Sequence, residues 1–245
     1  MKIFKKLTSI LVLMAISLTL ISCTIESTAN NDRALINGVT DNLVITANVS
    51  VIASSPLNPM KSAGSGVVFH SKPFLDGFNY YILTNSHVID GHTTFFVKDS
   101  YGESFPATLT CYDPNYDLAV LNFYSNKEYY CPTINPNDPI EGATVIAMGE
   151  PLGLLNSVTL GKVTKYAKVE ITGETNNSNV TFDVLEHNAP INTGSSGGAI
   201  LNSSYEICGI NYAATRSSDG EFIAGYAIQP TKIIEFLKSN GLIQP

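Results

Sequence analysis

From residue 43 onward the chain is a succession of short runs rich in β-branched and aromatic residues, each closed by Gly, Asn, Asp or Pro. The runs are NVSVIAS, GSGVVFH, YYILTN, TTFFVKD, ATLTCYD, DLAVLNF, ATVIAMG, VTLGKVTKYAKVEI, NVTFDVL and EICGINYAA. Branched and aromatic side chains suit a pleated, half-buried surface, and the closing residues supply turns. The pattern therefore predicts an all-β barrel or sandwich. Only the end reads as a helix, over about residues 231–240: in PTKIIEFLKSNGL, Thr231 is suited to N-cap, Ile233, Ile234 and Leu237 fall on one face, and Gly241 is suited to end it. Two polar stretches, TGETNNSNVT and TRSSDGE, are the main irregular segments.

With 44% hydrophobic and 14% charged residues, the 245-residue chain has enough apolar material for a globular core and is not disordered. The formal charge of −7 understates its acidity, because the first 22 residues hold Lys2, Lys5 and Lys6 and no acid. No basic patch is left for nucleic acid.

Those 22 residues have a basic start and then an apolar run, the pattern of an export signal. They lead into Leu20-Ile21-Ser22-Cys23, which resembles the lipobox of bacterial lipoproteins. The resemblance implies a signal peptide over 1–22, acylation of Cys23 and a membrane-anchored, extracytoplasmic protein, with 23–42 as a polar tether. An uncleaved membrane anchor and a secretory signal cut nearby are the alternatives, and both also place the chain outside the cytoplasm. Acylation of Cys23 leaves Cys111, Cys131 and Cys208, an odd number; Cys111 and Cys208 lie in strand-like runs as buried, inert thiols. There is no C-x-x-C or H-E-x-x-H pattern, so no metal site is suggested.

The segment INTGSSGGAI, residues 191–200, places two serines among glycines. Glycines cluster where backbone must turn tightly or bring its N–H groups to a ligand, so one serine is a candidate nucleophile. A serine hydroxyl needs a base, and histidine, with an ordinary pKa of about 6.5, is suited to take its proton and return it. His70, His87, His92 and His187 all precede the serines. That order excludes the nucleophile elbow of α/β-hydrolases, whose histidine follows the serine, although Gly194-x-Ser196-x-Gly198 matches it. The order His, Asp, Ser is that of chymotrypsin-like β-barrel enzymes. His87 stands where a strand ends in small and polar residues, whereas His92, after Asp90-Gly91, reads as an exposed turn residue. Asp117 leads directly into an apolar strand and is suited to orient an imidazole; Asp113 precedes a proline in a turn.

Five separated stretches resemble, in order and spacing, the trypsin-like proteases of the HtrA/Deg family. They are Gly64-Ser65-Gly66-Val67-Val68, Leu83-Thr84-Asn85-Ser86-His87-Val88-Ile89, Asp113-Pro114 with Asp117-Leu118-Ala119-Val120-Leu121, Ala147 to Leu154, and Asn192 to Ala199. The resemblance implies a protease domain over 43–245, built of two six-stranded antiparallel barrels at about 43–135 and 136–230 with the active site between them. It implies His87 as base, Asp117 as its partner, Ser196 as nucleophile, and an oxyanion hole from the backbone N–H groups of Gly194 and Ser196. Ser195 takes the place of the family's asparagine and Ser86 that of its usual alanine; neither is expected to carry catalysis. Family members usually continue into PDZ domains, for which this sequence shows no counterpart after its terminal helix.

The implied activity is peptide-bond hydrolysis through an acyl-enzyme, with no metal or cofactor, acting on protein or peptide substrates. By the same resemblance Pro190, Ile191, Tyr212 and Ala214 wall the pocket for the residue before the cut. No acid stands at its base, so an apolar, shallow pocket selecting Val, Ala or Ile is expected. His187 is read as structural, and the loop carrying Arg216 and Asp219 is where a specificity charge would be sought. Two rival readings are a silent protease fold serving as a surface binding protein, and a triad enzyme acting on esters.

Overall fold

The computed structural model describes residues 29–56, 58–150, 153–154, 156–169 and 179–244. The leader 1–22 and Cys23 lie outside the described residues. The first barrel comprises β1 (Asn48–Ser55), β2 (Asn58–Phe74), β3 (Gly77–Thr84), β4 (Thr94–Lys98), β5 (Ser104–Asp113) and β6 (Leu118–Ser125), closed in the order β1-β2-β3-β6-β5-β4. The second comprises β7 (Thr144–Gly149), β8 (Ser157–Ala167), β9 (Val184–His187), β10 (Ala199–Leu201), β11 (Ile207–Arg216) and β12 (Phe222–Ile228), closed as β10-β11-β12-β9-β8-β7. Every pairing between named strands is antiparallel, as expected of two six-stranded barrels. Closure leaves no long unpaired edge.

Where the barrels meet, strands are buried on both faces. In β6, Ala119, Leu121 and Phe123 fill the first barrel, while Leu118 and Val120 face a shared layer with Ile146 and Met148 of β7. Val145 and Ala147 of β7 point the other way, into the second barrel. This two-sided burial explains why DLAVLNF and ATVIAMG are continuous apolar runs, whereas β5, with one wet face, alternates residue by residue.

Three expectations are corrected. The stretch 23–42 is not simply a tether: residues 29–40 form a helix, α1, whose buried Val39 and partly buried Leu35 join the shared layer. The strand-like runs omit two strands, β10 and β12, and overstate NVTFDVL, which is strand only from Val184. The C-terminal helix, α3 (Pro230–Ser239), begins one residue early, with Pro230 in its first turn, so Thr231 is not the cap. Its N–H and hydroxyl instead donate to Asp138, at 2.9 and 2.8 Å. Ile233, Phe236 and Leu237 bury the inner face, and Gly241 (φ +68°) ends the helix with its N–H on the Lys238 carbonyl.

Candidate active site

After β3 the chain makes a single helical turn, α2 (Ser86–Ile89), which carries His87. Asp117 faces it from the turn that closes β5 onto β6, in the left-handed conformation (φ +50°) that Asp tolerates better than most residues. Its carboxylate is 0% exposed, so it needs protein donors in place of water. It has three partners. Oδ1 accepts from the Ser86 hydroxyl at 2.8 Å and from the His87 N–H at 3.0 Å, and Oδ2 lies 2.7 Å from His87 Nδ1. Asn85 holds the Asp117 carbonyl at 2.9 Å. With the ring proton on Nδ1, the imidazole is turned edge-on to the carboxylate and Nε2 is left as the acceptor. Ser86, expected to be a bystander, is thus bonded to the carboxylate; its place beside His87 was the only sequence signal.

The Ser196 loop is shaped by glycine. Gly194 (φ +95°) and Gly197 (φ +86°) both adopt a conformation that side chains disfavour. A Cβ on Gly197 would also stand 2.1 Å from the Ser65 carbonyl and 2.3 Å from Thr84 Oγ1. The loop is tied by its own backbone. Ser195 N–H donates to the Asn192 carbonyl at 2.9 Å, Gly198 N–H to the Ser195 carbonyl at 3.0 Å, and Gly197 N–H to the Asn211 carbonyl at 2.8 Å. Among the described residues, the N–H groups of Gly194 and Ser196 donate to no protein acceptor.

His87, Gly194 and Ser196 open onto one cleft of about 460 Å³ between the barrels. Ile191, Tyr212 and Ala214 line it, and Pro190 does not. Pro190 is exposed, with its carbonyl accepting from Thr159 Oγ1 at 2.8 Å. Arg216 does line the cleft and donates across it to the Ile191 carbonyl at 2.9 Å and Asn192 Oδ1 at 2.8 Å. His187 is 0% exposed, its Nε2 3.1 Å from Asn211 Oδ1, and burial pushes its pKa down to about 4. His92 and Asp113 stay outside the cleft; Asp113 Oδ1 accepts from the Asn115 N–H in its own turn. Cys111, Cys131 and Cys208 are free, and burial raises all three thiols, Cys208 to about 12, which disfavours thiolate chemistry. Among the described residues no three His, Cys, Asp or Glu side chains are grouped to hold a metal ion.

Residues 64–210 match the family model of the trypsin-like peptidase domain. The chain belongs to the trypsin-like peptidases. The chain is 32% identical over 178 residues to the periplasmic serine endoprotease DegP of Escherichia coli (strain K12), a match covering 72% of the chain and 35% of that protein. It is 34% identical over 219 residues to the serine protease Do-like HtrA of Bacillus subtilis (strain 168), covering 84% of the chain and 47% of the relative. The chain thus spans between about a third and a half of the length of these relatives. Among solved structures it resembles the HtrA-type protease AlgWS227A with tripeptide, at a TM-score of 0.68 and 27% identity, covering 85% of this chain and 63% of that one.

Proposed function

We propose that the chain is an exported, membrane-tethered serine endopeptidase that cleaves unfolded proteins through a His87-Asp117-Ser196 triad. The observation that carries this reading is the 2.7 Å contact between His87 Nδ1 and the buried Asp117 carboxylate, in a histidine that shares one cleft with Ser196. In the proposed reaction Ser196 Oγ attacks the scissile carbonyl while His87 Nε2 takes its proton. Asp117 holds the ring and stabilises the imidazolium. The negative charge that develops on the carbonyl oxygen is met by the N–H groups of Gly194 and Ser196. His87 then protonates the leaving amine, and water releases the acyl group from Ser196 by the same steps reversed in role.

Peptide substrates are supported by the similar HtrA-type structure, which holds a tripeptide. Ile191, Tyr212 and Ala214 give the cleft an apolar part, beside the Arg216 guanidinium, suited to a small aliphatic residue before the cut. Export is supported by the basic and apolar leader and by relatives named as periplasmic, and the tether by the lipobox ending at Cys23. The deciding experiment labels the folded protein with a serine-directed phosphonate, maps the adduct, and follows degradation of unfolded casein. An adduct on Ser196 with casein loss supports the reading. A folded protein with neither favours the silent binding fold, and hydrolysis of esters alone favours an esterase.

A further inference from the structure

Ser65, the middle residue of Gly64-Ser65-Gly66 in β2, has every polar atom engaged at or beside the Ser196 loop. Its hydroxyl donates to the Gly194 carbonyl at 2.6 Å and accepts from the Glu150 N–H at 2.8 Å. Its N–H donates to the Ser196 carbonyl at 2.7 Å, and its own carbonyl accepts from Thr84 Oγ1 at 2.7 Å. The residue is fully buried.

These contacts fall on particular peptide planes. One candidate oxyanion donor, the Gly194 N–H, belongs to the peptide joining residues 193 and 194; the other, the Ser196 N–H, to the peptide joining 195 and 196. The plane between them joins 194 and 195. Its carbonyl is held by Ser65 Oγ and its N–H by the Asn192 carbonyl at 2.9 Å. The plane after the second donor has its carbonyl held by Ser65 N–H and its N–H by the Asn211 carbonyl at 2.8 Å. Gly194, with φ +95° and no side chain, is where the loop rotates most freely, so a bond on its carbonyl restrains what its backbone alone does not. Ser65 stands on the first barrel, the loop on the second, and Glu150 follows β7, so the bond also transmits how the barrels meet.

We propose that Ser65 is a positioning residue for the oxyanion hole: its hydroxyl, oriented by the Glu150 amide, holds the Gly194 carbonyl and so keeps the Gly194 and Ser196 N–H groups converged on the cleft. This rests on the serine peptidase reading above. A serine that merely filled space would be replaced by alanine with effects on stability alone, whereas a positioning serine acts on the transition state more than on bound substrate.

Ser65→Ala is expected to lower kcat by about 10- to 100-fold with KM within about twofold, somewhat less than losing an oxyanion donor outright. Affinity for a peptidyl trifluoromethyl ketone, which adds Ser196 Oγ to form an oxyanion, should fall in parallel. Binding of an intact peptide should be the same for Ser196→Ala and for Ser65→Ala/Ser196→Ala. Ser65→Cys, with a weaker donor in the same place, should lie between, and decides the matter if the alanine variant does not fold. Unchanged kcat in a folded variant overturns the assignment, as does equal loss of ketone and peptide affinity. A wild-type protein that neither degrades casein nor takes the phosphonate overturns the peptidase reading and this assignment with it; active wild type with fully active variants overturns this assignment alone.

Discussion

Arg216, at the end of β11, donates to the Ile191 carbonyl at 2.9 Å, joining two segments that line the cleft and that wall the proposed substrate pocket. The same guanidinium donates to Asn192 Oδ1 at 2.8 Å and to the Gly220 carbonyl at 3.0 Å, so its planar fork is fixed by three acceptors. A bridge of this kind limits the depth of the pocket. Arg216→Ala should therefore extend cleavage from the proposed Val, Ala and Ile to Leu, Met and Phe, reducing discrimination against the larger residues by about tenfold, near the low end of what a methylene decides in an apolar pocket. Mass spectrometry of casein digests measures it, and an unchanged cleavage profile would show that Arg216 does not shape the pocket.

Asp117 holds His87 through Oδ2 and is itself held through Oδ1 by Ser86 and the His87 N–H. Asp117→Asn keeps the shape but turns an acceptor into a donor toward Nδ1, favouring the tautomer with its proton on Nε2. The expected loss in kcat is about 10⁴-fold. Ser86→Ala removes one charge-assisted hydrogen bond and leaves the ring contact in place, so a loss of about tenfold is expected. Steady-state kinetics on a peptide substrate tests both, and a Ser86→Ala variant as impaired as Asp117→Asn would contradict the division of roles.

Much of this arrangement was legible because the chemistry sits where the strand pattern changes. His87 follows the end of β3 and Asp117 immediately precedes β6, and both strands are strongly apolar. What the pattern missed has physical causes. β12 is broken by Gly225, which reads as a turn, yet a Cβ there would stand 2.3 Å from the His187 ring, so the glycine serves packing. β10 is three residues long, below the length at which alternation is visible. In α1, Leu35 and Val39 join the core while most of the remaining surface is polar, which made the stretch look like a tether. The resemblance puts Pro190 at the pocket, but correspondence along the chain does not say which way a residue faces, and Pro190 is exposed and outside the cleft lining. Ser65 lies within a motif that carries only a resemblance, since no local pattern reveals a bond to a residue 129 positions away.

The proposed tether predicts a location. A single acyl chain holds a protein to a membrane only marginally, at about 0.8 kcal/mol per buried CH₂, whereas the several chains of a mature lipoprotein anchor it stably. Cys23→Ala should therefore release the protein into the medium or leave its leader uncleaved. Fractionation with N-terminal sequencing distinguishes these results. Undiminished membrane retention with a trimmed N-terminus would exclude acylation at Cys23 as the anchor.

Stability should carry the signature of His187. The ring is fully buried, with Asn211 Oδ1 at Nε2, the Gly225 backbone against its face, and Glu186 beside it on β9. Burial pushes its pKa down from 6.5 to about 4. Between those values the unfolded chain binds the proton and the folded chain resists it, so stability rises with pH across this window. The contribution is complete above the unfolded pKa and is lost as the pH falls toward 4, amounting to about 2–3 kcal/mol at pH 4.5. Glu150 tilts the balance the other way, because burial raises its carboxyl and the folded chain then holds the proton more tightly. The informative quantity is therefore a difference. Urea unfolding of the wild type and of His187→Gln at pH 7 and pH 4.5 should show the wild type losing about 2–3 kcal/mol more than the variant over that interval. Parallel losses would mean that the buried imidazole takes up its proton in the folded state without penalty, and that the Asn211 contact, rather than exclusion of charge, is what holds the ring in place.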